Sequence, residues 1–150
     1  MEYKRSAYVE QEILNAPPER LVQTLYSLIT SSIARARECI RNGDIRGRVS
    51  HVNKAFEALV ELTNGLDYSA SKEIATTYES IYAYCRKRLL DANTTASDEI
   101  LAEVAKLVHD VQDAWDVVVK RVTSERSARF AQTEVLASEE SMAGRLDVLG

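Results

Sequence analysis

The chain has 150 residues, of which five are Gly and two are Pro, against roughly eighteen at average usage. Turns draw on Gly and Pro for their special dihedrals, so this composition excludes a many-turned all-β protein and any low-complexity or collagenous one, and the length fits a single domain. A net charge of −4, from 19 Lys+Arg against 23 Asp+Glu with the signs interspersed, leaves no dominant basic face for nucleic acid.

Residues 1–17 are mixed, and carry Tyr3, Tyr8, Ile13 and Leu14 among the charges Glu2, Lys4, Arg5, Glu10 and Glu12. No apolar core of a secretory signal fits there. No stretch of the chain approaches the roughly 18 uncharged apolar residues of a membrane span. Cys39 and Cys85 stand far apart and match neither a disulfide framework nor metal-ligand spacing. The expectation is a reduced, cytosolic protein without membrane insertion, bound metal or cofactor.

Pro17-Pro18 breaks the chain, and Pro18 suits the first position of a helix, where its missing N–H has no intrahelical partner to lose. The first helix is predicted over 18–41. Leu21, Leu25, Leu28, Ser32, Ala36 and Cys39 recur at helical spacing, and Val22, Tyr26, Ile29, Ile33 and Ile40 widen the stripe. Asn42-Gly43-Asp44 reads as a helix stop, a tight turn and the next N-cap. The second helix, 45–66, alternates 4 and 3 through Ile45, Val49, Val52, Phe56, Leu59, Thr63 and Leu66, a seven-residue repeat. Phe56 is expected at its centre, where Phe56→Ala costs about 3–5 kcal/mol.

After a break rich in Asn, Gly, Asp and Ser, the third helix is predicted over 72–92 on Ile74, Tyr78, Ile81, Cys85, Leu89 and Ala92. Ser97 can cap a fourth, over 98–122, with Asp98 and Glu99 in its first turn. Its stripe is Leu101, Val104, Val108, Val111, Trp115, Val118 and Val122. Short links make successive helices antiparallel. The expected fold is all-α: an antiparallel up-down four-helix bundle over 18–122, an N-terminal lid segment over 1–17 and a flexible C-terminal tail over 123–150. The tail's Leu146-Asp147-Val148-Leu149 is a candidate to dock in the protein's own groove or a neighbour's.

The chemistry-bearing residues are sparse. His51 and His109 lack the Glu-x-x-His pairing of a di-iron bundle, and Gly43 and Gly47 lack the Lys-Ser/Thr of a phosphate loop. His51-Val52-Asn53-Lys54-Ala55 has the His-x-x-Lys spacing of a histidine phosphotransfer domain, which is the alternative function. The seven tyrosines are more informative. Tyr78 and Tyr82 share a face, Tyr84 points elsewhere, and Tyr is common at interfaces. The wide apolar rows, especially on the first and third helices, exceed what one bundle core consumes, and an exposed apolar groove suits a partner helix.

Taken in order, the motifs resemble the flagellin export chaperone family, FliS, from about Tyr3 to Arg129. The resemblance rests on Tyr3 and Tyr8, Ala16-Pro17-Pro18-Glu19-Arg20-Leu21, Leu25-Tyr26, Lys54-Ala55, Glu61-Leu62 and Leu66-Asp67. It continues through Ile74-Ala75, Tyr82-Ala83-Tyr84, Leu89-Leu90-Asp91-Ala92-Asn93, Leu101-Ala102-Glu103-Val104 and Ala114-Trp115. Ser27-Leu28 departs from it, because the family has Asp or Asn and then Gly after the tyrosine. Pro17 likewise stands where the family has a capping Ser or Thr.

The resemblance implies a cytoplasmic, non-enzymatic chaperone that binds the disordered C-terminal segment of flagellin in an apolar surface groove. It thereby implies a block on premature polymerisation before secretion. The export apparatus and regulatory proteins are further partners open to such a protein. Tyr8, Tyr26, Val52, Phe56, Tyr82 and Trp115 are expected at or just beneath the client-binding surface. Tyr3, Tyr8, Ile13 and Leu14 are expected to act as a displaceable lid.

Overall fold

The structure is a computed structural model, described for residues 18–149. It is an antiparallel four-helix bundle, with no strand among the described residues. Helix α1 spans Pro18–Asn42, α2 Ile45–Asn64, α3 Lys72–Thr95 and α4 Asp98–Leu149. The lid expected over 1–17, including Tyr3, Tyr8, Ile13 and Leu14, lies outside the described residues.

The links explain how the helices reverse. Gly43 takes φ 69°, the left-handed conformation that glycine adopts without a Cβ clash. Asp44 then caps α2, its side chain accepting from the Gly47 N–H. A Cβ on Gly47 would stand 2.3 Å from Asp44 Oδ2 and 2.7 Å from Cys39 Sγ, so the absence of a side chain there lets the cap form. Ser71 caps α3 by accepting from the Ile74 N–H, and Ser97 caps α4 by accepting from the Ile100 N–H at 3.2 Å. These bonds satisfy amides that a helix start leaves without intrahelical partners. At the end of α3, Ala96 adopts φ 51° and donates its N–H to the Ala92 carbonyl.

Side-chain bonds between helices set their order and direction. Arg48 Nε donates to Asn93 Oδ1 at 3.4 Å and Arg86 Nη1 to Thr63 Oγ1 at 2.6 Å; the start of α2 meets the end of α3, so the two run antiparallel. Arg88 Nη2 reaches Glu103 Oε2 at 3.0 Å, and Tyr84 donates to the same carboxylate, joining α3 to α4. Arg37 Nε reaches Asp98 Oδ1 at 2.8 Å and Gln112 Nε2 donates to Ser27 Oγ at 3.4 Å. These bonds close α4 onto α1, again antiparallel. The α1–α2 pair is the most closely packed.

Apart from Tyr26 and Tyr82, the core is aliphatic and built of small to medium side chains. Ile29, Ile33, Ala36, Ala55, Leu59, Cys85, Leu89, Ala92, Leu101 and Val104 are wholly buried. Burial of this kind stabilises by about 25 cal/mol per Å² of apolar area removed from water.

The heptad arithmetic is right in period but displaced in phase. On α2 the buried residues are Val52, Ala55, Ala58, Leu59 and Leu62. Phe56, expected at the centre, is only half-buried, and Ile45 is 65% exposed. The reason is geometric: alanines at 55 and 58 let a neighbouring helix approach closely, which turns the inward face away from the Ile45–Phe56 side of the stripe. On α3 the same displacement buries Ala75 and leaves Ile74 exposed, and on α4 Val118 is exposed.

The chain divides into two compact units after Asp113. The first holds α1 to α3 and the opening of α4. The second is the remainder of α4, from Ala114. The expected helix end at 122 is corrected, because the helix continues to Leu149. Residues 123–143 contain neither Pro nor Gly, the two helix breakers, and carry four Ala and four Glu, both strong helix formers.

Candidate functional site

The first unit places Tyr26 of α1 and Tyr82 of α3 inside the bundle, 1% and 4% exposed. Their hydroxyls share a hydrogen bond of 2.5 Å, with ring centroids 6.5 Å apart. Tyr78 lies one turn before Tyr82, at 6.0 Å between ring centroids, and is half-buried. A tyrosine brings a polar hydroxyl into an apolar interior, and the cost is met only when that hydroxyl is bonded. Each of this pair serves as the other's partner. Burial pushes the Tyr82 phenol up to about 12, against the bond to Tyr26. Burial, with the bond to Tyr82 adding to it, pushes the Tyr26 phenol well above its ordinary value.

Val52 lies in the same interior, 1% exposed. Above it on α2 runs a row at helical spacing: Ile45, Val49, Phe56 and Val60, none of them buried. Thr63 continues that row and accepts from Arg86, so it borders the α3 side of the bundle. Leu90 of α3 is also 54% exposed. Together the buried and unburied apolar positions make the stripe on α2 wider than the roughly 100° that a surface helix commonly presents to a core.

Of the residues expected at the client surface, Tyr26 and Tyr82 are therefore brought into contact within the core. Val52 and Phe56 stand one turn apart on α2. Trp115 is half-buried in the second unit, and Tyr8 lies outside the described residues. Three of the six, Tyr26, Val52 and Tyr82, are beneath the surface rather than on it. Val49 and Val60 belong to the partly exposed row; helical spacing places Val49 there, and Val60 follows one turn after Phe56.

The polar groups build a frame rather than a reactive centre. The bond from Arg37 holds the Asp98 carboxyl below the usual carboxylate range. Bonds from Tyr84 and Arg88 do the same for Glu103. Burial pushes the Cys85 thiol up to about 11, which removes the thiolate that nucleophilic chemistry requires. His51 is half-buried, its Nδ1 has no hydrogen-bond partner, and burial together with Lys54 and Arg35 lowers its pKa. Among the described residues no group of three or more His, Cys, Asp or Glu is placed to hold a metal ion. No described helix is long and apolar enough to cross a membrane.

An antiparallel bundle with an apolar row left unburied on one helix presents a face on which another helix can pack. The family model described as flagellar protein FliS matches residues 1–122, and the chain belongs to that family. It is 29% identical over 120 residues to the flagellar secretion chaperone FliS of Salmonella typhimurium, covering 79% of this chain and 89% of that protein. It is 31% identical over 110 residues to the flagellar secretion chaperone FliS of Campylobacter jejuni, covering 73% and 86%. With the corresponding protein of Bacillus subtilis the identity is 30% over 124 residues, covering 83% and 90%. The protein is a chaperone of flagellar export, not an enzyme, and the phosphotransfer reading of His51 goes no further.

Proposed function

We propose that this chaperone is cytosolic and binds the C-terminal segment of flagellin on the apolar side of α2, keeping that segment from polymerising before secretion. The observation that carries the reading is the row of Ile45, Val49, Phe56 and Val60, apolar at helical spacing and unburied in the bundle. A helix that presents unburied apolar residues at intervals of four and seven offers a face against which the apolar side of an amphipathic helix can pack. The names of the relatives supply the export context.

The client segment folds as it binds, and the ordering cost of about 2–5 kcal/mol offsets part of the gross interaction and keeps release feasible. In the same reading Tyr3, Tyr8, Ile13 and Leu14 cover this surface until the client displaces them. Tyr26, Val52 and Tyr82 support it from below. Calorimetric titration of the full chain with a flagellin C-terminal peptide tests the proposal. Saturable heat and a raised melting temperature are expected. No heat and no melting shift would refute it.

A further inference from the structure

The final stretch of α4 lies past residue 122, where the match to the family model ends. Every described side chain from Thr123 to Arg145 is exposed. Phe130, Val135, Leu136 and Met142 are among them, each more than half exposed. Ala128, Ala131, Val135, Ser138 and Met142 recur at intervals of 3, 4, 3 and 4 along the helix. They form one seam of small and apolar residues at the spacing by which helices pair.

Counted from Lys120, two residues before the family match ends, the charges at the end of α4 are sorted by half. Lys120, Arg121, Arg126 and Arg129 against Glu125 give the first half four cations to one anion, a net +3. Glu134, Glu139, Glu140 and Asp147 against Arg145 give the second half four anions to one cation, a net −3.

We propose that this segment is a self-association surface that pairs antiparallel with the same segment of a second copy of the chain. A parallel pair sets the basic half on the basic half and the acidic on the acidic. An antiparallel pair sets each half on its opposite and also opposes the two helix dipoles favourably. In the register that places Arg126 across from Glu140, Ala128 falls opposite Ser138 and Ala131 opposite Val135. Small side chains at those positions let the two backbones approach closely. In that register the overlap from residue 120 to 146 is about 40 Å of helix at 1.5 Å per residue, long enough for several turns of seam.

The inference stands apart from the flagellin reading, which concerns α2. Its test is the mass of the full chain in solution, measured by sedimentation equilibrium at about 100 μM, below which weak pairing escapes detection. The expected result is twice the 16.8 kDa chain mass. Arg126→Glu with Arg129→Glu is expected to raise the dissociation constant about tenfold or more, and Glu139→Arg with Glu140→Arg to do the same. An equimolar mixture of the two variants restores the dimer. Bundle unfolding, followed separately, is unchanged in both variants. A monomeric unmodified chain overturns the proposal. So does a dimer that both charge reversals leave intact, or variants that fail to pair when mixed. A segment that becomes protected from proteolysis only when the flagellin peptide is added, in a chain that stays monomeric, assigns the surface to the client instead and equally overturns it.

Discussion

The Tyr26–Tyr82 hydroxyl pair offers a sharp test of how the bundle is held. Both rings are buried and the 2.5 Å bond joins α1 to α3. Tyr26→Phe removes one hydroxyl and leaves the other in an apolar interior. The loss of the bond and the orphaned group together cost about 1–3 kcal/mol. Tyr82→Phe has the same consequence from the other side. The double variant removes both hydroxyls with little change of shape, so its cost is well below the sum of the singles. The coupling energy is therefore expected at about 1–2 kcal/mol. For a chain of this size, 2 kcal/mol corresponds to a fall in Tm of roughly 6 °C. Urea unfolding of the four proteins, followed by circular dichroism, yields the cycle. Single variants that each cost under about 0.5 kcal/mol, or a double variant equal to the sum of the singles, would refute the reasoning.

The same pair predicts alkaline sensitivity. Burial holds both phenols neutral in the folded chain, while unfolded tyrosine ionises near pH 10. Stability from this source is fully present below about pH 10 and is lost as pH rises toward the folded value of about 12 for Tyr82. Denaturant midpoints measured across that window should fall less steeply in the Tyr26→Phe/Tyr82→Phe protein. Ala96 holds a left-handed backbone that costs an L-residue roughly 1 kcal/mol; Ala96→Gly is therefore expected to leave the chain no less stable in thermal melts. Half-buried Phe56 and wholly buried Leu59 should separate on truncation. Leu59→Ala costs about 2–5 kcal/mol, whereas Phe56→Ala costs about 1–2 kcal/mol because less area leaves water and weakens the flagellin peptide in calorimetry, which a purely core residue would not explain.

The punctuation of this chain is written in short local signals. Asn42-Gly43-Asp44 encodes a stop, a left-handed residue and a cap, and Ser97 encodes the start of α4; each depends on the residue's own side chain or lack of one. The 4-3 spacing likewise identifies the helices. The side of a wide stripe that faces inward is not a local property. On α2 it depends on how closely the neighbouring helix approaches across Ala55 and Ala58, which turned Phe56 and Ile45 outward. The end of α4 is hard to read because the stripe after 122 passes from large apolar residues to small ones such as Ala128, Ala131 and Ser138, while the helix runs on to Leu149. Tyr26, Val52 and Tyr82 are legible as apolar positions, but their depth is set by packing. The bond between two tyrosines on α1 and α3 has no signature in either helix alone.

The central claim is that the unburied row on α2 receives the client. Methyl NMR of the full chain, titrated with the flagellin C-terminal peptide, tests it at the residues themselves. The methyls of Ile45, Val49 and Val60 should shift together and show contacts to the peptide as it saturates. Saturation that moves other methyls and leaves these three unchanged would contradict the account.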